Sequence, residues 1–209
     1  MTTAMHLECL VEEPSAEALL NHLLPRMLPQ GWKYKIHPFQ GKCNLLKRLP
    51  DRLKSYAGMM RTDPGLRLLI LVDKDREDCH NLKKRLENQA KRCGLLTKSH
   101  AGGGEFRVLN RIAVHELESW FFGDIQALRK VYPKLPVSFL KKKRYRFNQP
   151  DDLNDAWEAL EKLLQSYDYF PGGLPKVENA NLVGQYMNPA RNTSKSFQIF
   201  YEGITALSR

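Results

Sequence analysis

The run LRLLILV at residues 66–72 constrains the fold more than any other stretch of the chain. Six of its seven residues are large aliphatics, with only Arg67 breaking the run. A strand with one face in water alternates apolar and polar side chains. A near-continuous apolar run instead marks a strand covered on both faces, as in a parallel sheet with helices on each side. Apolar segments at residues 6–11, 33–39, 95–99 and 107–114 supply four further strands.

Helical patterns separate these segments. Residues 15–27 carry Ala16, Leu19, Leu20, Leu23, Leu24 and Met27 on one stripe, with Ser15 placed to cap it. Residues 42–57 repeat Leu45, Leu46, Leu49, Leu53 and Tyr56, with Pro50 as an interruption. Residues 78–93 put Leu82, Leu86 and Ala90 on one face, and Gly94 follows as a stop. Strand–helix alternation of this kind predicts a parallel α/β sheet with right-handed crossovers. Beyond residue 115 the pattern becomes helical, at 116–132, 151–167 and 192–207. The expected organisation is an α/β core over residues 1–115 and a C-terminal helical extension over 116–209, packed on the core as a single structural unit.

Composition limits the classes of function. Lys plus Arg exceeds Asp plus Glu by 33 to 23, a net charge of +10 that favours an anionic partner, nucleic acid first. Cys9, Cys43, Cys79 and Cys93 are scattered without a C-x-x-C pair, which argues against a disulfide framework or a structural zinc site. No leader pattern and no long apolar run stands out, so a reduced cytoplasmic setting is the expectation.

Acidic residues gather where strands end. In open α/β sheets ligands bind beyond the carboxyl ends of the strands. The first strand runs out into Glu12 and Glu13, with Glu17 one turn on; the 66–72 strand runs out into Asp73 and Asp75; the 107–114 strand runs out into Glu116 and Glu118. Carboxylates delivered by three strand ends to one edge make a hard-oxygen site suited to Mg²⁺ or Mn²⁺. In extended chain, positions i and i+2 point the same way, so Asp73 and Asp75 would face one ion or two neighbouring ions. The competing reading is a helix entry: Asp78 is placed to cap the next helix, and Glu77 to be a solvated charge at its start.

Other features carry two readings each. His115 is either a base or metal ligand, or a structural hydrogen-bonding residue. Gly41-Lys42 resembles the end of a Walker loop, but Cys43 stands where Ser or Thr is needed, so it is no P-loop; Lys42 could still touch a phosphate. Gly102-Gly103-Gly104 is a mobile loop or a phosphate cradle. Residues 125–150 hold eight basic residues and no acid, including Lys141, Lys142, Lys143, Arg144 and Arg146. Tyr132, Phe139, Tyr145 and Phe147 are interleaved with them, either to stack on exposed bases or as core beneath a solvated face. Arg191, Ser194, Lys195 and Ser196 form a polar group before the last helix that could face the site.

The stretches VEEPSAEALLNHLLPRML, FQGKCNLLKRLPDRL, LVDKDRED, RIAVHELESWFFGD and NPARNTSKSFQIF resemble, in order and over roughly residues 7–205, the bacterial Toprim-related group known as domain-of-unknown-function family 4276. The resemblance implies a Toprim-like parallel sheet core. Members of that wider superfamily include topoisomerases, primases and nucleases of the overcoming-lysogenization-defect type. Carried over, Glu12 matches the first-strand Glu that serves as general acid or base. Asp73 and Asp75 match the metal-binding pair, and Glu116 and Glu118 complete the cluster around Mg²⁺ or Mn²⁺. Many Toprim proteins have Gly directly after the first Glu, where this chain has Glu13. The function implied is metal-dependent hydrolysis of phosphodiester bonds in nucleic acid, DNA ahead of RNA, with an ATPase partner in antiphage defence and pairing into a homodimer. The alternative is a non-catalytic Toprim-like subunit that binds nucleic acid or regulates an ATPase.

Overall fold

The computed structural model describes residues 4–209. Strands β1 (His6–Val11), β2 (Lys33–Pro38), β3 (Leu66–Asp73) and β4 (Val108–Ala113) form one all-parallel sheet in the order β2-β1-β3-β4. The first seven residues of β3 are all buried, as the LRLLILV run requires of a strand covered on both faces. Alternation along the strands sends their side chains into two cores. Leu10, Leu68, Ile70, Val72 and Ile112 meet α2 (Lys42–Thr62) and α3 (Cys79–Arg92) on one side. Leu7, Cys9, Val11, Leu69 and Leu109 meet α1 (Pro14–Met27) and the C-terminal helices on the other. This is a three-layer α/β/α arrangement in which residues beyond 115 complete one outer layer.

The segment at 95–99 is not a strand. Leu95 is buried but Leu96 is exposed, and only Thr97 forms a bridge, to Val108. A segment with one anchored residue has too little pairing to extend the sheet past β4. Helix α1 starts at Pro14, whose fixed φ suits a first helical position, so Ser15 is a buried helical residue rather than the cap. Pro50 does not interrupt α2. The helix continues to Thr62 because Leu45, Leu49, Leu53, Tyr56 and Met60 form one buried stripe across it. Burying such side chains contributes about 1.5–3 kcal/mol each, enough together to offset a proline cost of about 3 kcal/mol.

The C-terminal half is more broken than its pattern predicts. The expected helix at 116–132 divides into α4 (Ser119–Phe122) and α5 (Ile125–Val131), with Asp124 capping α5 through the Ala127 N–H. Gly123 sits at the break, where a Cβ would lie 2.0 Å from Asn192 Oδ1. Three 3-10 turns follow, and α6 (Ala156–Gln165) starts later than expected because Asp151 turns inward to accept from Ser119, Ser194 and Ser196. Helix α7 (Lys176–Tyr186) has a weak apolar stripe and was not expected; it packs on α1, with Gly184 lying against Leu19 and His22. Helix α8 (Lys195–Leu207) is capped by Ser194, which accepts from the Phe197 N–H.

Candidate metal centre

The strand order reverses direction between β1 and β3, since β1 connects outward to β2 on one side and β3 leads to β4 on the other. Crevices at such a switch point, beyond the carboxyl ends, are where α/β sheets bind ligands. Glu12 and Asp73 stand at this position. Glu12 Oε2 accepts a hydrogen bond of 3.0 Å from the backbone N–H of Asp73, tying the ends of the two strands together. The next loop joins in: the Gly41 N–H donates to the Glu12 carbonyl at 3.0 Å, and Gly41 has a φ of +86° that favours glycine at the start of α2.

Asp73 is the centre of the acidic group. Part of its surface still reaches solvent, yet protein surrounds it closely enough that burial is the largest influence on its carboxyl. Burial, then the charges of Glu118 and Glu12, raise it well above the usual carboxylate range, against the lowering effect of the Leu117 N–H. Glu118 is 3% exposed, and burial pushes it up to about 7. Glu12 is raised by burial and further by Asp75. Glu116 is raised by burial too, and its Oε2 accepts from the Trp157 N–H at 2.8 Å.

Asp75 departs from the extended D-x-D expectation. The strand ends at Asp73 and the chain turns: Lys74 N–H bonds to Ala113 O and Asp75 N–H to His115 O at 2.7 Å. Asp75 then takes a φ of +50° and His115 one of +60°. The two carboxylates therefore part, Asp73 inward and Asp75 to the exposed side of the cleft. Lys42 holds this turn. Its ammonium contacts Asp75 Oδ2 at 2.5 Å, Asp73 O at 3.0 Å, Lys74 O at 3.1 Å and Glu77 Oε1 at 3.3 Å. With a side chain only 10% exposed, Lys42 is committed to protein oxygens rather than displayed to a phosphate. Glu77 is likewise not a free solvated charge, since it also pairs with Arg85 at 3.0 Å. Asp78 does cap α3, accepting from the Asn81 N–H at 2.8 Å.

Beyond this edge lies a cleft of about 870 Å³ lined by Lys42, Lys74, Asp75, His115, Glu116 and Asp155, among others. Burial and then the nearby Lys74 lower the His115 imidazole from its ordinary value. One residue that sequence reasoning missed is Lys176, the first residue of α7. It lies 3.8 Å from Glu13 Oε2 and 5.1 Å above the Trp157 ring, with Glu118, Glu116 and Asp73 near enough to raise its ammonium against the lowering effect of burial. No local signal in the sequence places it there; only the docking of α7 does. Glu17 lies in the first turn of α1 and is partly exposed.

The donor set suits a hard divalent cation in charge. Six carboxylates, Glu12, Glu13, Asp73, Asp75, Glu116 and Glu118, face the ammonium groups of Lys42 and Lys176, with Lys74 and Arg76 along the same cleft, and the inner acids raise one another by repulsion. As the side chains stand, however, no three His, Cys, Asp or Glu residues among those described are grouped closely enough to hold an ion. Binding would therefore draw the carboxylates inward.

The remaining predicted residues divide. Lys141, Lys142, Lys143, Arg144 and Arg146 are exposed on and beside two 3-10 turns. Tyr132, Phe139 and Tyr145 beneath them are core, with Tyr145 packed against Phe122 and Phe139, so they are not available to stack on bases. Arg191 pairs with buried Asp124 at 2.9 Å, and Ser194 and Ser196 bind Asp151, so the NTSKS segment fastens α8 and α4 rather than facing the cleft.

A three-layer α/β protein with an acidic switch-point crevice is thus defined. The family model described as Domain of unknown function (DUF4276) matches residues 11–205, and the chain belongs to that family. No curated protein and no solved structure matches it. No helix among the described residues is long and apolar enough to cross a membrane.

Proposed function

We propose that this chain is a Toprim-like, Mg²⁺- or Mn²⁺-dependent nuclease-like protein that hydrolyses phosphodiester bonds in nucleic acid. The observation that carries the reading is the pairing of Glu12 with Asp73 at the switch point, with Glu118 close enough to raise the Asp73 carboxyl. Glu12, Asp73, Asp75, Glu116 and Glu118 would hold the cation. When bound, the ion would activate water and offset the charge that develops on the phosphate. The protein's own part is positional. The Asp73 N–H fixes Glu12, Lys42 fixes the turn that carries Asp75, and the Trp157 N–H fixes Glu116. The exposed Lys141–Arg146 tract would hold the backbone of a nucleic acid through its phosphates. An ATPase partner, a role in antiphage defence, a homodimer and a cytoplasmic location belong to the same proposal, on the strength of the family resemblance alone.

A second reading is favoured by one observation. The Lys42 ammonium already sits among the carboxylate and carbonyl oxygens of the turn, and the acids are not yet gathered into a cage. On that reading the chain is a non-catalytic subunit that binds nucleic acid or regulates an ATPase. Incubating the purified protein with plasmid, single-stranded DNA and RNA, in Mg²⁺, Mn²⁺ or EDTA, separates the two. The enzyme reading expects cleavage that needs metal and disappears in the Asp73→Ala, Asp75→Ala double variant. Salt-sensitive binding without cleavage under any metal supports the binding subunit instead.

A further inference from the structure

The opposite end of the sheet carries the opposite charge. At the amino ends of β3 and β4 lies a pocket of about 690 Å³, lined among others by Arg67, Lys98, Gly103, Gly104, Glu105 and Arg209. These side chains are three cations against one acid. Arg67 shares a face of β3 with Leu69 and Leu71 and is 7% exposed. Its NH1 donates to Pro64 O and Leu66 O, and its NH2 to Glu105 Oε1 at 2.9 Å. Its Nε is buried without a partner. That nitrogen has almost no accessible surface, so what Arg67 offers the pocket is positive charge rather than a free donor.

We infer that this pocket binds a small phosphate-bearing anion, at a site separate from the carboxylate cleft. With the Arg67 NH1 and NH2 groups held by Pro64 O, Leu66 O and Glu105, the direct contacts to the anion fall to the less buried Lys98 and Arg209, over the fixed positive charge of Arg67. The Gly102–Gly104 loop has positive φ at Gly102 and Gly103, a backbone conformation that allows close approach to a ligand without side chains in the way. The volume exceeds what a single oxyanion needs, which fits a diphosphate or a nucleotide. The charges there are crowded. Burial and then Arg107 lower Arg67, and burial, Arg111 and Arg209 lower Lys98 despite Glu202. An anion relieves that crowding, as a cation relieves the acids at the other end.

The test is thermal unfolding in EDTA with inorganic pyrophosphate titrated in at constant ionic strength. The melting temperature is expected to rise with pyrophosphate, and the apparent affinity to fall at least ten-fold in Lys98→Gln. Arg209→Gln, at the surface, provides a second variant that leaves the core untouched. A Lys141→Gln, Lys142→Gln, Lys143→Gln triple variant is expected to respond like the wild type. Absence of stabilisation, an unchanged affinity in both Lys98→Gln and Arg209→Gln, or loss of the effect in the triple variant would each overturn the proposal. So would a Lys98→Gln defect confined to a single-stranded oligonucleotide, which would make the pocket part of a nucleic-acid track.

Discussion

Glu12 Oε2 accepts the backbone N–H of Asp73 at 3.0 Å, joining the carboxyl ends of the two central strands. The bond holds two carboxylates near each other where burial and repulsion raise both. It follows that Glu12 has a structural part and a charge part, and that substitution can separate them. Glu12→Gln keeps an acceptor for the Asp73 N–H and removes the charge, whereas Glu12→Ala leaves that N–H unpaired. The Gln variant is expected to be more stable than the Ala variant by about 1–2 kcal/mol in chemical denaturation, with both losing at least ten-fold in Mn²⁺ affinity. Equal stabilities would show that the hydrogen bond contributes nothing.

Glu118 predicts how the metal-free protein responds to pH. Its folded pKa, about 7, lies above the ordinary value of 4.5, so between these the folded state binds more protons than the unfolded one. Stability therefore falls as pH rises through this window and levels off above it. Glu118→Gln is expected to flatten the decline and to raise stability at pH 8 by on the order of 1–3 kcal/mol. Denaturant melts at pH 5, 6, 7 and 8 in EDTA measure it, and a Gln variant less stable than wild type at pH 8 would refute it.

Glu87 has the opposite sign. It accepts from Thr97 and from Ser99 at 3.1 Å, and pairs with Lys83 at 2.7 Å. Burial alone would raise its carboxyl, but Lys83 first and then Thr97 outweigh it and lower the carboxyl. Its contribution is present above the unfolded carboxyl pKa and is lost as pH falls through the lower folded one. Glu87→Ala is expected to cost about 2–4 kcal/mol at pH 7 and clearly less at pH 3. A cost that does not change with pH would contradict the assignment.

The exposed basic tract is separable from the fold. Changing Lys141, Lys142 and Lys143 to Ala removes charges that stand in solvent, so the melting temperature should stay within about 2 °C of wild type. Nucleic-acid affinity should fall across sequences, and the slope of log K against log salt should shrink by about 1 per lost phosphate contact. An unchanged slope would remove this tract from the interface.

The layers of the fold were legible because periodicity reports burial. LRLLILV could only be a strand covered on both faces, and Asp78 could be read as a cap from its place before an apolar stripe. The segment at 95–99 misled because its composition is strand-like while its pairing with β4 is confined to a single bridge at Thr97. Helix α7 was hidden because it packs through Asn179, Ala180, Val183 and Gly184, which give little hydrophobic contrast. At the site, the acids could be assigned to one edge from strand ends alone. The turn that parts Asp73 from Asp75 could not, because it depends on the Asp75 N–H finding His115 O, 40 residues away. Nor could Lys176, which reaches the acids only because α7 docks against α1. The aromatics among the basic residues were equally ambiguous in sequence, and packing with Phe122 made Tyr145 and Phe147 part of the interior face.

The central claim is that the acids at the β1–β3 switch point hold a divalent cation. Calorimetric titration of Mn²⁺ into the wild-type protein and into Asp73→Asn tests it most directly, since the Asn variant keeps the shape of the side chain and removes its charge. The account predicts saturable binding to the wild type and an affinity at least ten-fold weaker in Asp73→Asn, with the variant still folded by circular dichroism. No binding by the wild type, or equal binding by both proteins, would contradict it.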